Sequence, residues 1–287
     1  MRLRDWLLLS MLCGAALAAA AQEGGLSSAQ RSLVEAERAF ARMSVEKGVR
    51  EAFLAWFTDD GINFLPGPTN TKQAYGKLPA GPSPIVLNWA PVYGDVSAAG
   101  DLGYSTGPYL REGRGPQRRP AQHGLFFSIW KRQADGGWKV AIDCGIETPQ
   151  PAARLDDPFV AAPGGARAAK TPPDVEALDR AFFAAAKAKG IAAAWKSHLA
   201  DSARLYRANE MPIHGAALRD WIAAQTAAPA VQWIKTGVAA SNDLAYSYGF
   251  IETGGASNPV KGYYVRLWKP DAKGNWRIVF DLGLPGE

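Results

Sequence analysis

The spacing of apolar residues changes from helical to strand-like, and the chain goes through that change twice. Leu33, Glu37 and Phe40 to Met43 recur at helical intervals, as do Val175, Leu178 and Phe182, so each stretch predicts a helix with one face turned inward. Gly48 and Gly190 follow, and a second short helix is expected over Arg50 to Phe57 and over Ala192 to Leu199. From "GINFLPG" onward the pattern becomes short β-type runs broken by Gly, Pro and Asp-Gly signals, such as Asp135-Gly136-Gly137 and Lys273-Gly274-Asn275. Helices first and a meander afterwards predict an α+β fold, with the helices packed on one face of a strongly curved antiparallel sheet.

The two passes align residue by residue. At a constant offset "ERAF" at Glu37 to Phe40 falls on "DRAF" at Asp179 to Phe182, Phe53 on Trp195, Phe64 on Tyr206, and Asp101-Leu102 on Asp243-Leu244. One shorter hairpin in the second pass changes the offset; "GLFFSIWK" at Gly124 to Lys131 then overlies "GYYVRLWK" at Gly262 to Lys269, and "WKVAIDCG" overlies "WRIVFDLG". A single gap in a polar turn predicts a tandem duplication, with domains over 27–148 and 173–287 and a Pro/Ala/Gly-rich linker over 149–172.

The segments "DDGINFLPGP" and "GDLGYSTGP", the strand G-x-F-x-x-x-W and the closing W-K-V-x-x-D-x-G resemble the SnoaL-like, domain-of-unknown-function 4440 branch of the nuclear transport factor 2-like superfamily. That resemblance covers both copies. It implies two cone-shaped domains, each a bent sheet wrapped around helices with a pocket at the open end. It also implies a functional range from ketosteroid isomerases and polyketide cyclases to non-catalytic members, so the fold does not supply a reaction. Single-domain members commonly dimerise, which leads to the expectation of a monomer whose two copies form an internal pseudo-dimer.

The first residues carry two arginines, an apolar run from Trp6 and the small-residue exit Ala19-Ala20-Ala21. They read as a signal peptide over 1–21 and an exported, periplasmic protein, with no transmembrane segment expected because the run is shorter than the roughly 20 residues that span a bilayer. Beyond it Cys144 is the one remaining cysteine, so no intrachain disulfide is expected. The net charge of +5 is concentrated in part at "REGRGPQRR", Arg111 to Arg119, a loop that reads as a solvated hairpin or as a contact for an anion or phospholipid surface. No nucleic-acid module accompanies it.

The chemistry-bearing candidates are the equivalent aspartates Asp143 and Asp281, each placed by alternation on the face opposite the apolar row of the last strand. Either acts as a general base if burial raises its pKa, or as a structural acceptor of backbone, Arg or Lys hydrogen bonds; the residues favour the structural role for both, with a lowered pKa. Tyr104, Tyr246, Tyr206, Trp130, Trp268 and His123 are candidates for lining a pocket, and the tyrosines for donating into it. Trp89, Trp138, Trp195, Trp233 and Trp276 add to an aromatic interior suited to a flat or apolar ligand. His123, His198 and His214 are neither grouped nor repeated, so no metal site is expected. No cofactor fingerprint or nucleophile elbow is present. The sequence therefore favours a non-catalytic binder of a small apolar molecule, with an isomerase or cyclase-like enzyme and a protein interaction module as the alternatives.

Overall fold

A computed structural model describes residues 25–81, 83–114, 120–163, 168–169, 171–253 and 260–286. The export segment at 1–21 and Arg118 and Arg119 of the basic loop lie outside the described residues.

In the first half, α1 (Ser28–Lys47) opens on a capping box: Ser27 accepts from the Gln30 backbone N–H while the Gln30 side chain accepts from the Ser27 N–H. It ends at Gly48, whose φ of 96° suits glycine and turns the chain into α2 (Val49–Trp56). Strands β1 (Phe57–Phe64) and β2 (Pro68–Asn70), the short helix α3 (Thr71–Gly76), and strands β3 (Ile85–Trp89), β4 (Tyr93–Val96), β5 (Leu102–Gly113), β6 (Gln122–Arg132) and β7 (Trp138–Glu147) complete the unit. A two-residue strand, β8 (Val160–Ala161), follows.

The second half repeats the order: α4 (Val175–Lys189), α5 (Ile191–His198), β9 (Leu199–Arg207), β10 (Ile213–His214), α6 (Ala216–Ala224), β11 (Ala230–Val238), β12 (Ala245–Thr253), β13 (Val260–Pro270) and β14 (Trp276–Pro285). The strands run β2-β1-β7-β6-β5-β4-β8 in one sheet, with β3 also on β5, and β10-β9-β14-β13-β12-β11 in the other. Each half is therefore an α+β unit with its helices on one face of a curved sheet. The expectation of a purely antiparallel sheet is corrected at β1 against β7 and at β9 against β14, which pair in parallel.

The alternation read along the last strand also needs correcting. Ile129 pairs with Ile142 but Trp130 pairs with Val140, leaving Ala141 as a β-bulge; Val279 is the bulge in the second half. Trp138 and Val140 consequently face the helices, whereas Ile142, Cys144 and Ile146 face the other sheet. Asp143 opposes Ile142 and Cys144 as expected, and the bulge sets it on the helix side together with Trp138 and Val140.

The other face of each sheet packs on its counterpart. Phe127 stacks on Phe280 with ring centroids 4.3 Å apart, and Phe64 meets Tyr248 edge-on at 6.1 Å. Lys269 forms a buried ion pair with Asp95 across the halves, and the Arg204 guanidinium lies 3.9 Å from the Tyr93 ring centroid. Two equivalent loops exchange hydrogen bonds: Ala98 N–H donates to Asp243 Oδ2 at 2.9 Å and Ala240 N–H donates to Asp101 Oδ2 at 2.7 Å. The two loops thus contact each other reciprocally within one chain.

The segment between the halves is not a bare tether: β8 pairs in parallel with β4, and Phe159 is buried beside Leu26 and Val34.

Candidate functional site

The first half encloses a cavity of about 320 Å³ between its helices and the concave side of its sheet. Phe53 comes from α2, Tyr75 from α3, Ile85, Leu87 and Trp89 from β3, Tyr109 and Arg111 from β5, and Phe126 from β6. Asp143 lies on the cavity wall, half-buried, with its exposed part bordering the open space.

Sheet register explains its setting. Asp143 stands between Ser128 on β6 and Asn63 on β1. Ser128 Oγ donates to its Oδ2 at 2.8 Å and Asn63 Nδ2 to its Oδ1 at 3.2 Å. Both donors are neutral, and among the described residues no cation pairs with this carboxyl. Burial pushes its pKa up, the Ser128 hydrogen bond holds it down in part, and the charge of Glu37 adds to the rise, giving about 8. The expectation of a lowered pKa is therefore overturned for Asp143: no Arg or Lys reaches it, because the neighbouring strand carries serine at position 128.

Behind Asp143 sits a second carboxyl that the sequence reading passed over. Glu37 is completely buried and accepts from Trp89 Nε1 at 2.7 Å, from Trp130 Nε1 at 2.8 Å and from Ser105 Oγ. Burial raises its pKa, while the hydrogen bonds from Ser105, Trp89 and Trp130 work against the rise. The signal was available, since a glutamate occupies the apolar stripe of α1 between Leu33 and Phe40.

The second half holds an equivalent cavity of about 250 Å³, lined by Phe183, Trp195, Trp221, Tyr264, Arg207 and Asp281 among others. Its electrostatics differ. Arg266 replaces Ser128 and donates from Nε to Asp281 at 2.8 Å and from Nη1 to Asp179 at 2.6 Å. Arg207 adds a contact to Asp281 at 2.6 Å. Burial alone would raise the Asp281 pKa, but the Arg266 and Arg207 charges outweigh it and hold the carboxyl below its usual range. Arg266 is itself boxed by Phe182, whose ring centroid is 4.4 Å away, and Tyr264 at 4.8 Å. Here the structural expectation matches the geometry.

The remaining candidates fall elsewhere. Tyr104, Tyr246 and Tyr206 are buried between the sheets, with the Tyr206 hydroxyl 3.2 Å from Thr106 Oγ1, and so do not line either cavity. Trp130 and Trp268 are fully buried beneath the helices, Trp268 Nε1 donating to Ser247 Oγ at 3.2 Å. His123 is half-buried on β6 opposite Leu110, away from both cavities. The residues that do line the first cavity beside Asp143, including Asn63, Tyr75 and Tyr109, gave no sign in a single sequence because they come from separate elements.

Chemically, the first cavity offers one carboxyl able to give and take a proton near neutrality, and tyrosines held un-ionised. Burial and the Asp143 charge raise the Tyr75 pKa, and burial with the charge of Glu147 takes Tyr109 to about 12. Cys144 is buried and its thiol is pushed well up by burial, which disfavours a thiolate nucleophile. Among the described residues no group of His, Cys, Asp and Glu has the arrangement of a metal site, and no helix is long and apolar enough to cross a membrane.

No family model matches the chain, and no curated protein matches it in sequence. Among solved structures it is similar to a nuclear transport factor 2-like protein of unknown function from Pseudomonas putida, at 12% identity over 39% of this chain and 83% of that chain, with a TM-score of 0.34. It is similar to a putative scytalone dehydratase from Novosphingobium aromaticivorans, at 14% identity over 47% of this chain and 94% of that chain, with a TM-score of 0.34. It is also similar to a ketosteroid isomerase-like protein from Erwinia carotovora atroseptica, at 16% identity over 44% of this chain and 100% of that chain, with a TM-score of 0.33.

Proposed function

We propose that the first cavity binds a small, largely apolar carbonyl compound and that Asp143 moves a proton on it, as in an isomerisation or cyclisation that needs no cofactor. The observation that carries this reading is the cation-free Asp143 carboxyl on the wall of an aromatic cavity, held by Asn63 and Ser128. A carboxyl with a pKa of about 8 keeps a usable fraction of both forms near neutral pH. Tyr75 and Tyr109 are neutral hydroxyl donors on the same wall for a developing oxyanion. The second cavity, whose Asp281 is locked by two arginines, supports ligand binding without proton transfer.

The same reading takes the chain as a tandem duplication of SnoaL-like, domain-of-unknown-function 4440 domains over 27–148 and 173–287, exported after removal of 1–21. It acts as a monomer on a small apolar molecule and has no nucleic-acid partner. The repeated residues and the repeated element order support it.

The test is solvent deuterium uptake by a panel of cyclic enones and aryl ketones, followed by NMR. Wild type is expected to exchange at least one of them with saturable kinetics, at a rate that rises with pH and levels above about pH 8 as Asp143 ionises. Asp143→Asn should lower the rate by roughly 10²–10⁴-fold, the usual worth of a general base. Absence of both exchange and saturable binding across the panel would sink the proposal.

A further inference from the structure

The Asp143 cavity does not end at its own wall. A second, larger cavity of about 810 Å³ lies against it, and Val49, Leu65, Tyr75, Ile85 and Arg111 line both. The outer one continues along Ala74, Leu78, Pro79 and Pro84. At its mouth Leu65 is 51% exposed and Leu78 48%, among the few large apolar side chains the described surface leaves so open. An apolar chamber of this size exceeds what a single-ring ketone in the inner cavity would fill.

Charge is arranged along this path. The inner end holds the Asp143 carboxyl, whose partners Ser128 and Asn63 are neutral, and so offers an anion no cation. Where the two cavities join stands Arg111, exposed, with Nη1 donating to Gln122 Oε1 at 3.1 Å; among the described residues it has no ion pair. Gln122 in turn donates to Glu147 at 3.0 Å, so the Arg111 and Glu147 side chains are linked through a neutral amide. Arg50, the other guanidinium lining the outer cavity, is committed to Glu51 and to the Leu78 carbonyl. Arg111 therefore retains guanidinium N–H groups for an incoming planar carboxylate.

Resting on the reading of this cavity as a ligand site, we infer that its ligand is an elongated amphipathic carboxylate. Its apolar body lies along Tyr75 and Ile85 and fills the outer chamber, and its carboxylate meets Arg111 on the exposed side where the two cavities join. The basic segment noted in the sequence thus has, at its first arginine, a place in recognition.

The experiment is calorimetric titration of the full chain with dodecanoate, dodecan-1-ol, hexanoate and cyclohex-2-enone, kept below micelle-forming concentrations. Dodecanoate should bind roughly tenfold more tightly than dodecan-1-ol, as expected for one charge-assisted contact, and hexanoate far more weakly. Arg111→Gln should erase the advantage of the acid over the alcohol and leave the alcohol unchanged, while Arg111→Lys should restore part of it. Leu78→Asp should weaken both long ligands. Each variant is first checked for an unchanged thermal midpoint. Equal binding of acid and alcohol, insensitivity to Arg111→Gln, or a signal only above the micelle concentration would overturn the inference. If cyclohex-2-enone binds and exchanges deuterium while dodecanoate does not bind, this inference fails and the proton-transfer reading stands. Failure of every probe overturns this inference, and the proton-transfer reading falls with it only if the whole enone and ketone panel also fails.

Discussion

Asp143 and Asp281 occupy the same place in two like sheets and have opposite titration behaviour, because one neighbour is Ser128 and the other Arg266. The raised pKa of Asp143 means that the folded state holds its proton more tightly than the unfolded chain does. Stability is therefore greatest at low pH and declines as pH rises from about 4, the unfolded pKa, to about 8. Asp143→Asn removes that decline: the variant should exceed wild type by about 2 kcal/mol at pH 8 and match it near pH 4, by urea unfolding at both pH values. A variant no more stable than wild type at pH 8 would contradict the assigned ionisation. For Asp281, whose pKa is lowered, the sign reverses: its contribution is full above about pH 4 and is lost as pH falls through the folded pKa. Asp281→Asn leaves Arg266 with a single carboxylate partner and should cost about 3 kcal/mol at pH 7. The sequence made both aspartates visible and could not divide them, since the deciding contacts, Ser128 or Arg266 and the second-half Arg207, are matters of register between strands.

At the level of elements, the two opening helices and the later strands of each half were legible from periodicity, whereas α3 and α6, which interrupt the strands, were not, and the position of the site depended on one irregularity. Alternation places Trp138, Val140, Ile142 and Cys144 in one row. The extra residue Ala141 breaks that row and brings Asp143 under the helices. A bulge changes neither composition nor the count of apolar residues, so a single sequence does not reveal it. The parallel pairing of β1 with β7 was hidden for a related reason: it joins elements at opposite ends of the unit. Close backbone approach shapes the sheet as well. A Cβ at Gly107 on β5 would stand 2.0 Å from the Ala90 carbonyl oxygen, in the crossing between β3 and β4. Gly107→Ala must push that crossing away, and a loss of roughly 1–3 kcal/mol is expected. Denaturant titration of this variant beside Gly136→Ala shows whether crowding is the cause: a Cβ at Gly136 meets no neighbour, though its positive φ still imposes some strain. Equal losses in the two would count against the close approach.

Across the whole molecule, one apolar cluster draws on both sheets, from Phe127, Ile129 and Ile142 on one side to Val265, Phe280 and Leu282 on the other. Neither half can open without exposing it, so thermal unfolding is expected as a single calorimetric transition. Phe280→Ala should lower that one midpoint, by about 3–5 kcal/mol of stability, without splitting it; two separated transitions in wild type would refute the coupling. The reciprocal bonds between the Ala98 and Ala240 loops have a further consequence. In a two-fold pair of identical chains every substitution is made twice, and a cation placed beside one carboxylate would quench its twin as well. Here both loops belong to a single chain, so each position is written independently. Arg207 and Arg266 can neutralise the acid in one cavity and brace that half, while the other cavity keeps its carboxyl without a cationic partner among the described residues.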